Sequence, residues 1–422
     1  MVPRGVRVAT LGDSRLGKSW GTSYNKYGNG IVYWTEMLTR GVAYFPFELA
    51  FAVSGYTTTQ SLPQSKLCAQ SNADVVMIFC DINDTTLRQA ANITAVSVNQ
   101  TLINIDTMVK DQLRGGKLVI LFSGSPAGPT AGSVTEFSGI YLNQNTYIAQ
   151  WMRDKYKTTD RVHVVDVWPD WGDMTSATGY ANSTSTYDNL HPSATGAYQA
   201  AVKIKKIFDI YYPYSFEPLI STGADLYSAA NNPLGALNSN PMLTGTTGTA
   251  GANTSGQFAT GWTASTTDAG LTVVGSKVSS GGKIWQQFVI SGTPTTANPN
   301  LLFRQTETIG QFAIGDKFYA SCEIEVDSGS ANCYTPYLST RVQGASITDL
   351  ASSGELGTSG HTDGVGPSFA YSGVLITDAA PITAGNVFTA ADTRFGVYTV
   401  QNAAASMTVR VARIAKRKRI PA

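Results

Sequence analysis

The sequence predicts an α/β domain built on parallel strands, followed by an all-β domain, over 422 residues. Two observations predict the first part. Apolar runs at residues 6–11, 49–53, 74–80, 118–122 and 162–167 are short and unalternating, as parallel strands buried on both faces require. The stretches between several of these runs have helix length and helical spacing. The second part announces itself at Pro213 to Pro218, where helix patterns stop. Beyond that point Gly, Ser, Thr, Ala and Asn dominate, and short alternating stretches appear, such as Phe318 to Val326. We therefore place one domain at 1–215 and a second at 216–422.

Taken in order, the run Val6 to Leu11 ends in Gly12-Asp13-Ser14, and Leu49 to Val53 ends in Ser54-Gly55-Tyr56. The run Asp74 to Cys80 ends in Asp81-Ile82-Asn83-Asp84. Leu102, Ile105, Met108, Val109 and Leu113 then fall at helical spacing, and Gly115-Gly116 supplies a stop. Leu118 to Phe122 leads into a loop containing Ser125. Tyr141 to Tyr156 and Thr195 to Tyr211 make two further helices, the last just after Pro192-Ser193. Open α/β sheets bind ligands beyond the carboxyl ends of their strands, so Ser14, Gly55 and Asn83 all fall where a site belongs.

Residues Gly12 to Ser19 fit two signatures. The spacing G-x-x-x-x-G-K-S is that of a phosphate-cradling loop, with Lys18 as its lysine and Asp81 as a magnesium-binding acid. That motif works only if its Lys-Ser opens a helix, because phosphate sits on the helix N-terminus. Here Trp20 to Gly30 follows, with three glycines and two asparagines, and Gly costs about 1 kcal/mol per helix-interior position. Nucleotide binding is the weakest of the readings. The alternative makes Ser14 a nucleophile, which needs a base, an acid and oxyanion donors. Tyr187-Asp188-Asn189-Leu190-His191 supplies the first two, since three-residue spacing lets one turn hold Asp188 beside His191. Asn83 offers a side-chain amide, and Gly55 a backbone N–H that a substrate can approach closely.

On these four blocks, in this order, residues 5–212 resemble the SGNH family, also called GDSL esterases and lipases. The resemblance implies a three-layer, flavodoxin-like α/β domain with a five-stranded parallel sheet. It implies Ser14, His191 and Asp188 as catalytic triad, and Ser14, Gly55 and Asn83 as oxyanion hole. The third block departs from the family in carrying Asp81 where glycine is usual, which sets an extra carboxylate near the hole. Arg15, beside the nucleophile, is expected to pair with Asp81. His163, inside an apolar run, and His361, in a Ser/Gly-rich loop, are not expected to be catalytic. The loop of Ser125 is read as a wall on the substrate side, and 123–137 and 168–187 as loops that shape the pocket.

The second half reads as a sandwich or jelly roll, and Asn240 to Thr263 is similar to the start of jelly-roll modules of bacteriophage tail and carbohydrate-active proteins. Trp262, Trp285, Tyr319, Tyr334 and Tyr337 could stack on sugar rings or fill the core. Only 14% of residues are charged, against about 25% in ordinary domains, and the net charge is +1. No global field recruits nucleic acid or a membrane. Lys416 to Arg419 reads as a solvated basic end. No run suits a membrane span, and no apolar leader precedes the first strand. Cys68 and Cys80 read as buried or free thiols, whereas Cys322 and Cys333 could pair in an oxidising compartment. Neither a metal nor an organic cofactor is expected.

These readings combine into a serine esterase that removes acetyl groups from a carbohydrate, with an acetylated polysaccharide or small ester as its partner. The expected location is a virion surface or the extracellular space, and a tail protein would suit a homotrimer. The competing expectation is a non-catalytic polysaccharide- or receptor-binding tail protein that keeps the fold.

Overall fold

The structure, a computed structural model, describes residues 5–21, 24–128, 139–173, 175, 181–213, 219–343, 347–355, 365–382 and 390–419. The chain divides into two compact units. The first comprises Met1–Trp20, Asn29–Thr35 and Val42–Tyr214, and the second Gly21–Gly28, Glu36–Gly41 and Ser215–Ala422.

The first unit is a parallel sheet with helices between its strands. Its strands are β1 (Val6–Gly12), β3 (Ala43–Tyr44), β4 (Ala50–Ala52), β5 (Val75–Phe79), β6 (Leu118–Phe122) and β7 (Val162–Val165), while β2 (Asn25–Tyr27) belongs to a sheet of the second unit. All five apolar runs are strands. A sixth piece, β3, was not expected: β1 pairs with β3 at Val6 and Arg7, then with β4 from Thr10 to Gly12. The neighbour of β1 is thus one strand in two pieces. Pro46, which has no N–H for a ladder, stands between them and leads into the 3₁₀ turn Phe47–Leu49. Counting the two pieces as one, the order from edge to edge is second, first, third, fourth, fifth, which is flavodoxin-like. The order reverses between β1 and β5, so the crevice lies beyond the ends of these two strands.

β1, β5 and β6 are buried along their whole length, as strands covered on both faces must be. The helix Val98–Arg114 lays Leu102, Ile105, Met108 and Val109 on Val76, Ile78, Val119 and Leu121. Gly115 and Gly116 end it, the latter at φ +74°. The helices Ile140–Tyr156 and Ala194–Tyr211 form where expected, and Ser193 caps the second through the N–H of Gly196. The helix Thr58–Gln70 was not expected. It begins with a reciprocal cap between Thr57 and Gln60 and buries small side chains, Ser61, Ser65 and Cys68, rather than an apolar stripe.

Among the described residues the second unit holds two seven-stranded sheets. Most pairings are antiparallel, but Thr247–Ala250, Thr254–Gly256 and β2 each join an edge in parallel, so the sheets are mixed. The inner faces share an aromatic core. Trp262 stacks on Phe303 at 4.6 Å between ring centres, and Phe288 of the other sheet meets Phe303 at 5.0 Å. Of the two readings of the aromatics, the core one holds: Trp262, Trp285, Tyr334 and Tyr337 are buried, while Tyr319 is half-buried against Val374 and Ile376. One correction concerns the basic end, which is part of the strand Ala405–Arg419. Lys416 is fully buried on Glu307 at 2.8 Å, Arg417 pairs with Asp225 and Lys418 with Asp316. A second correction concerns the pairing of Cys322 with Cys333. Cys322 and Cys333 are both buried and unpaired, as are Cys68 and Cys80. Among the described residues no helix is long and apolar enough to cross a membrane.

Candidate active site

The end of β1 cannot be an ordinary residue. Gly12 has φ +124°, and a Cβ there would fall 1.9 Å from the carbonyl oxygen of Phe79. Without one, the chain passes close to β5, and the N–H of Asp13 donates to that same oxygen at 2.9 Å. Asp13 then caps a four-residue helix, Ser14–Gly17, whose first residue is Ser14. A first helical residue has no intrahelical acceptor for its N–H, so the Ser14 amide is available to a ligand.

His191 arrives on a loop folded by Asp188. The carboxylate of Asp188 accepts from the backbone N–H of Leu190 at 3.2 Å and of His191 at 2.7 Å through Oδ1. Asn189 makes the turn at φ +59°, a value Asn tolerates better than most residues. The other carboxylate oxygen stands 2.6 Å from His191 Nδ1, and His191 Nε2 stands 2.8 Å from Ser14 Oγ. Ser14, His191 and Asp188 are thus brought into one hydrogen-bonded line. Burial raises the pKa of Asp188, but the ring and backbone hydrogen bonds from His191, and the charge of Lys18, outweigh it. The carboxyl is held below its usual range and stays ionised. With Nδ1–H directed at a carboxylate, Nε2 is the acceptor for the Ser14 hydroxyl.

The other predicted site residues lie at the neighbouring strand ends. Gly55, exposed and at φ +81°, sits in the turn that follows β4, where Tyr56 N–H closes on Val53. Asn83 lies in the first turn of the helix Ile82–Gln89, and its Nδ2 donates to the carbonyl of Tyr56 at 2.9 Å. An amide nitrogen carries two hydrogens, so the second remains for an oxyanion. Asp84 serves the fold: it is buried and accepts from the N–H and hydroxyl of Thr58 and from the hydroxyl of Thr101, tying Asn83's helix to its neighbours.

Asp81 does not face the site. Its carboxylate accepts from Arg15 Nη2 at 2.7 Å, and Asp13 accepts from the same guanidinium at 2.6 Å. The pairing expected for Arg15 is present, with Asp13 added. All three side chains are fully buried, and Arg15 lies 3.9 Å over the ring of Phe79. Desolvation lowers the guanidinium pKa and the two carboxylates raise it further, so Arg15 is charged. Burial pushes Asp81 up to about 6 against the pull of Arg15. Ser125 is buried, and its hydroxyl accepts from Arg15 Nη1 at 2.9 Å. Parts of the two pocket-shaping loops, 129–138, 174 and 176–180, lie outside the described residues, as does His361. His163 is half-buried and bonded to Tyr211.

The phosphate-loop reading fails on geometry. The short helix ends before Lys18, and the next begins at Ile31, so Lys18-Ser19 opens none. Lys18 instead points at the Ser-His-Asp line, 3.2 Å from the hydroxyl of Tyr187 and 3.4 Å from His191 Nδ1. In the sequence Lys18 reads only as a phosphate-loop lysine. Its position one helical turn after Ser14 is the signal that it shares the surroundings of Ser14. Among the described residues no group of three or more His, Cys, Asp or Glu is arranged to hold a metal ion.

The flavodoxin-like parallel sheet thus carries the Ser14-His191-Asp188 line and the amide groups of Gly55 and Asn83 at the ends of its strands. Residues 10–198 match the model of the GDSL-like Lipase/Acylhydrolase family. No curated protein matches the sequence. Solved structures similar to it include an acetyl xylan esterase at 15% identity, covering 48% of this chain and 99% of the other, with a TM-score of 0.39. A carbohydrate esterase family 3 protein from Talaromyces cellulolyticus is 18% identical over 50% of this chain and 100% of its own, with a TM-score of 0.35. A GDSL-like lipase from Bacteroides thetaiotaomicron VPI-5482 is 18% identical over 47% and 86%, with a TM-score of 0.35.

Proposed function

We propose that this protein is a serine esterase that removes short acyl groups, acetyl first among them, from a carbohydrate. The observation that carries the esterase part is the unbroken line Ser14 Oγ, His191 Nε2, His191 Nδ1, Asp188 Oδ2, at 2.8 and 2.6 Å. His191 takes the Ser14 proton as Oγ bonds to the ester carbonyl carbon. The carbonyl oxygen becomes an oxyanion, received by the N–H groups of Ser14 and Gly55 and by the Asn83 amide. The carbon–oxygen bond to the alcohol then breaks, and the imidazolium returns the proton to the departing alkoxide. Water, deprotonated by the same imidazole, attacks the acyl-serine and releases the carboxylic acid and free Ser14. No step needs a cofactor.

The carbohydrate part rests on composition and on chain organisation. The chain is poor in charge and rich in Gly, Ser, Thr and Asn, and a large two-sheet β unit joins the esterase unit in one polypeptide. Such a unit would retain a polymer or anchor the enzyme, at a virion surface or outside a cell. The experiment compares p-nitrophenyl acetate, butyrate and octanoate as substrates for the wild type and a folded Ser14→Ala protein. Activity confined to short chains and lost in the variant supports the proposal. Equal rates in both proteins, or none in either, leave a polysaccharide-binding protein that keeps the fold.

A further inference from the structure

The Ser-His-Asp line has a charged neighbour in Lys18. Lys18 follows the nucleophile's own short helix, and its backbone N–H donates to the carbonyl of Ser14 at 2.8 Å, so the two residues ride on one turn. Its half-buried side chain turns toward the loop of His191. There Nζ donates to the Tyr187 hydroxyl at 3.2 Å and stands 3.4 Å from His191 Nδ1. The Tyr187 ring lies nearly parallel to the imidazole, 18° apart, and backs the contact. Among the described residues no carboxylate lies within ion-pair distance of Lys18 Nζ. By contrast Arg15, the other cation near Ser14, is closed off by Asp13 and Asp81. Because Nδ1 directs its hydrogen at Asp188, Lys18 cannot donate to that nitrogen. The contact is one of charge with a ring that becomes positive when Ser14 gives up its proton.

We propose that Lys18 is an electrostatic positioning residue of this site: its ammonium opposes the positive charge that His191 acquires, and so keeps the imidazole unprotonated and able to act as base at lower pH. The charged and titratable groups facing His191 are Asp188 and Tyr187 on its own loop, Ser14 from the short helix after β1, and Lys18 just beyond that helix. Asp188 favours the imidazolium and Lys18 disfavours it. Asp13, Arg15 and Asp81 form a separate buried cluster behind the nucleophile. Desolvation lowers the pKa of Lys18 and Asp188 pulls it back, as expected for an ammonium drawn into the site but kept charged by the triad carboxylate. The same placement favours proton delivery to the leaving alkoxide, since an opposed imidazolium is the stronger acid.

The proposal rests on the esterase reading for its purpose, and its test separates the two. Ser14 is labelled with a fluorophosphonate, which forms an Oγ–P bond and expels fluoride, so no native substrate is needed. The labelling rate is measured against pH by mass spectrometry for wild type, Lys18→Met and Lys18→Arg. In Lys18→Met the acid limb of the profile is expected to move up by about one pH unit, a roughly tenfold slower rate at fixed pH on that limb. The plateau should change little and Lys18→Arg should track the wild type. Raising salt should move the wild-type limb toward that of Lys18→Met. Superimposable limbs in all three proteins would overturn the proposal. So would a Lys18→Met protein that loses its plateau with the limb unmoved, which marks a purely structural lysine. Absence of labelling in the wild type would instead overturn the esterase reading, and His191 titration by NMR in the same three proteins would then decide the Lys18 proposal alone.

Discussion

Replacing Arg15 by Met tests the packing beneath Ser14. The guanidinium donates to Asp13 at 3.0 and 2.6 Å, to Asp81 at 2.7 Å and to Ser125 at 2.9 Å, with no exposure of any of the three charged side chains. Methionine conserves much of the volume but leaves two buried carboxylates without a counter-ion. Removing one partner of a buried ion pair costs about 3–5 kcal/mol, a large share of the roughly 5–15 kcal/mol that holds a domain together. The cost depends on pH with a definite sign. Asp81 in the folded wild type titrates at about 6, above its unfolded value, so the folded state binds the extra proton. Its contribution to stability is present at low pH and is lost as pH rises toward about 6. Without Arg15 the folded carboxyl titrates higher still, so the deficit of the variant grows between pH 5 and pH 8. Adding Asp81→Gly removes one stranded carboxylate and relieves a non-glycine residue at φ +117°, a strain worth about 1–3 kcal/mol, so the double variant should regain about half of the loss. Urea unfolding read by hydrogen exchange at peptides covering Val6–Gly12 and Val75–Phe79 isolates this unit. A deficit under about 1 kcal/mol, or one equal at pH 5 and pH 8, refutes the reasoning.

Three further outcomes follow from the site. Asp188→Asn keeps the shape of the loop but loses the charge that fixes the imidazole, and kcat for p-nitrophenyl acetate should fall by about 10³–10⁴ with the melting temperature little changed. Asn83→Ala removes one oxyanion donor, so kcat should fall by about 10²–10³ while KM moves little; a change confined to KM would show that the amide binds substrate only. Gly12→Ala sets a Cβ against the Phe79 carbonyl in a backbone conformation that favours glycine, and urea unfolding should show a loss of about 2 kcal/mol or more, with an unaltered midpoint contradicting the close approach of β1 and β5.

What was legible in the sequence was what burial writes into residue type. The five apolar runs had to be strands because a strand covered on both faces is apolar without alternation, and the helix Val98–Arg114 showed its stripe at Leu102, Ile105 and Met108. The meeting of Ser14, Asp188 and His191 was readable because one turn sets the spacing of the last two and a strand end presents the first. The helix Thr58–Gln70 escaped because it meets its neighbours through small polar side chains and contains Pro63, so neither periodicity nor propensity marks it. The basic end misled for a related reason. Four successive cations read as solvated, yet Lys416, Arg417 and Lys418 have partners, Glu307, Asp225 and Asp316, that stand far away in sequence and that only the sheet brings near. Lys18 was visible, but its motif pointed to phosphate until the length of the helix after Ser14 was known.

The central claim is that Ser14 carries the acyl group between the two halves of the reaction. It is tested most directly by mixing the protein with excess p-nitrophenyl acetate, quenching in acid within the first turnover and mapping the peptide that has gained an acetyl group. The account predicts one acetyl per chain on Ser14, formed with a burst of p-nitrophenol and missing from His191→Ala at the same time point. Hydrolysis without a burst and without acetyl on Ser14, or label on another residue, would contradict it.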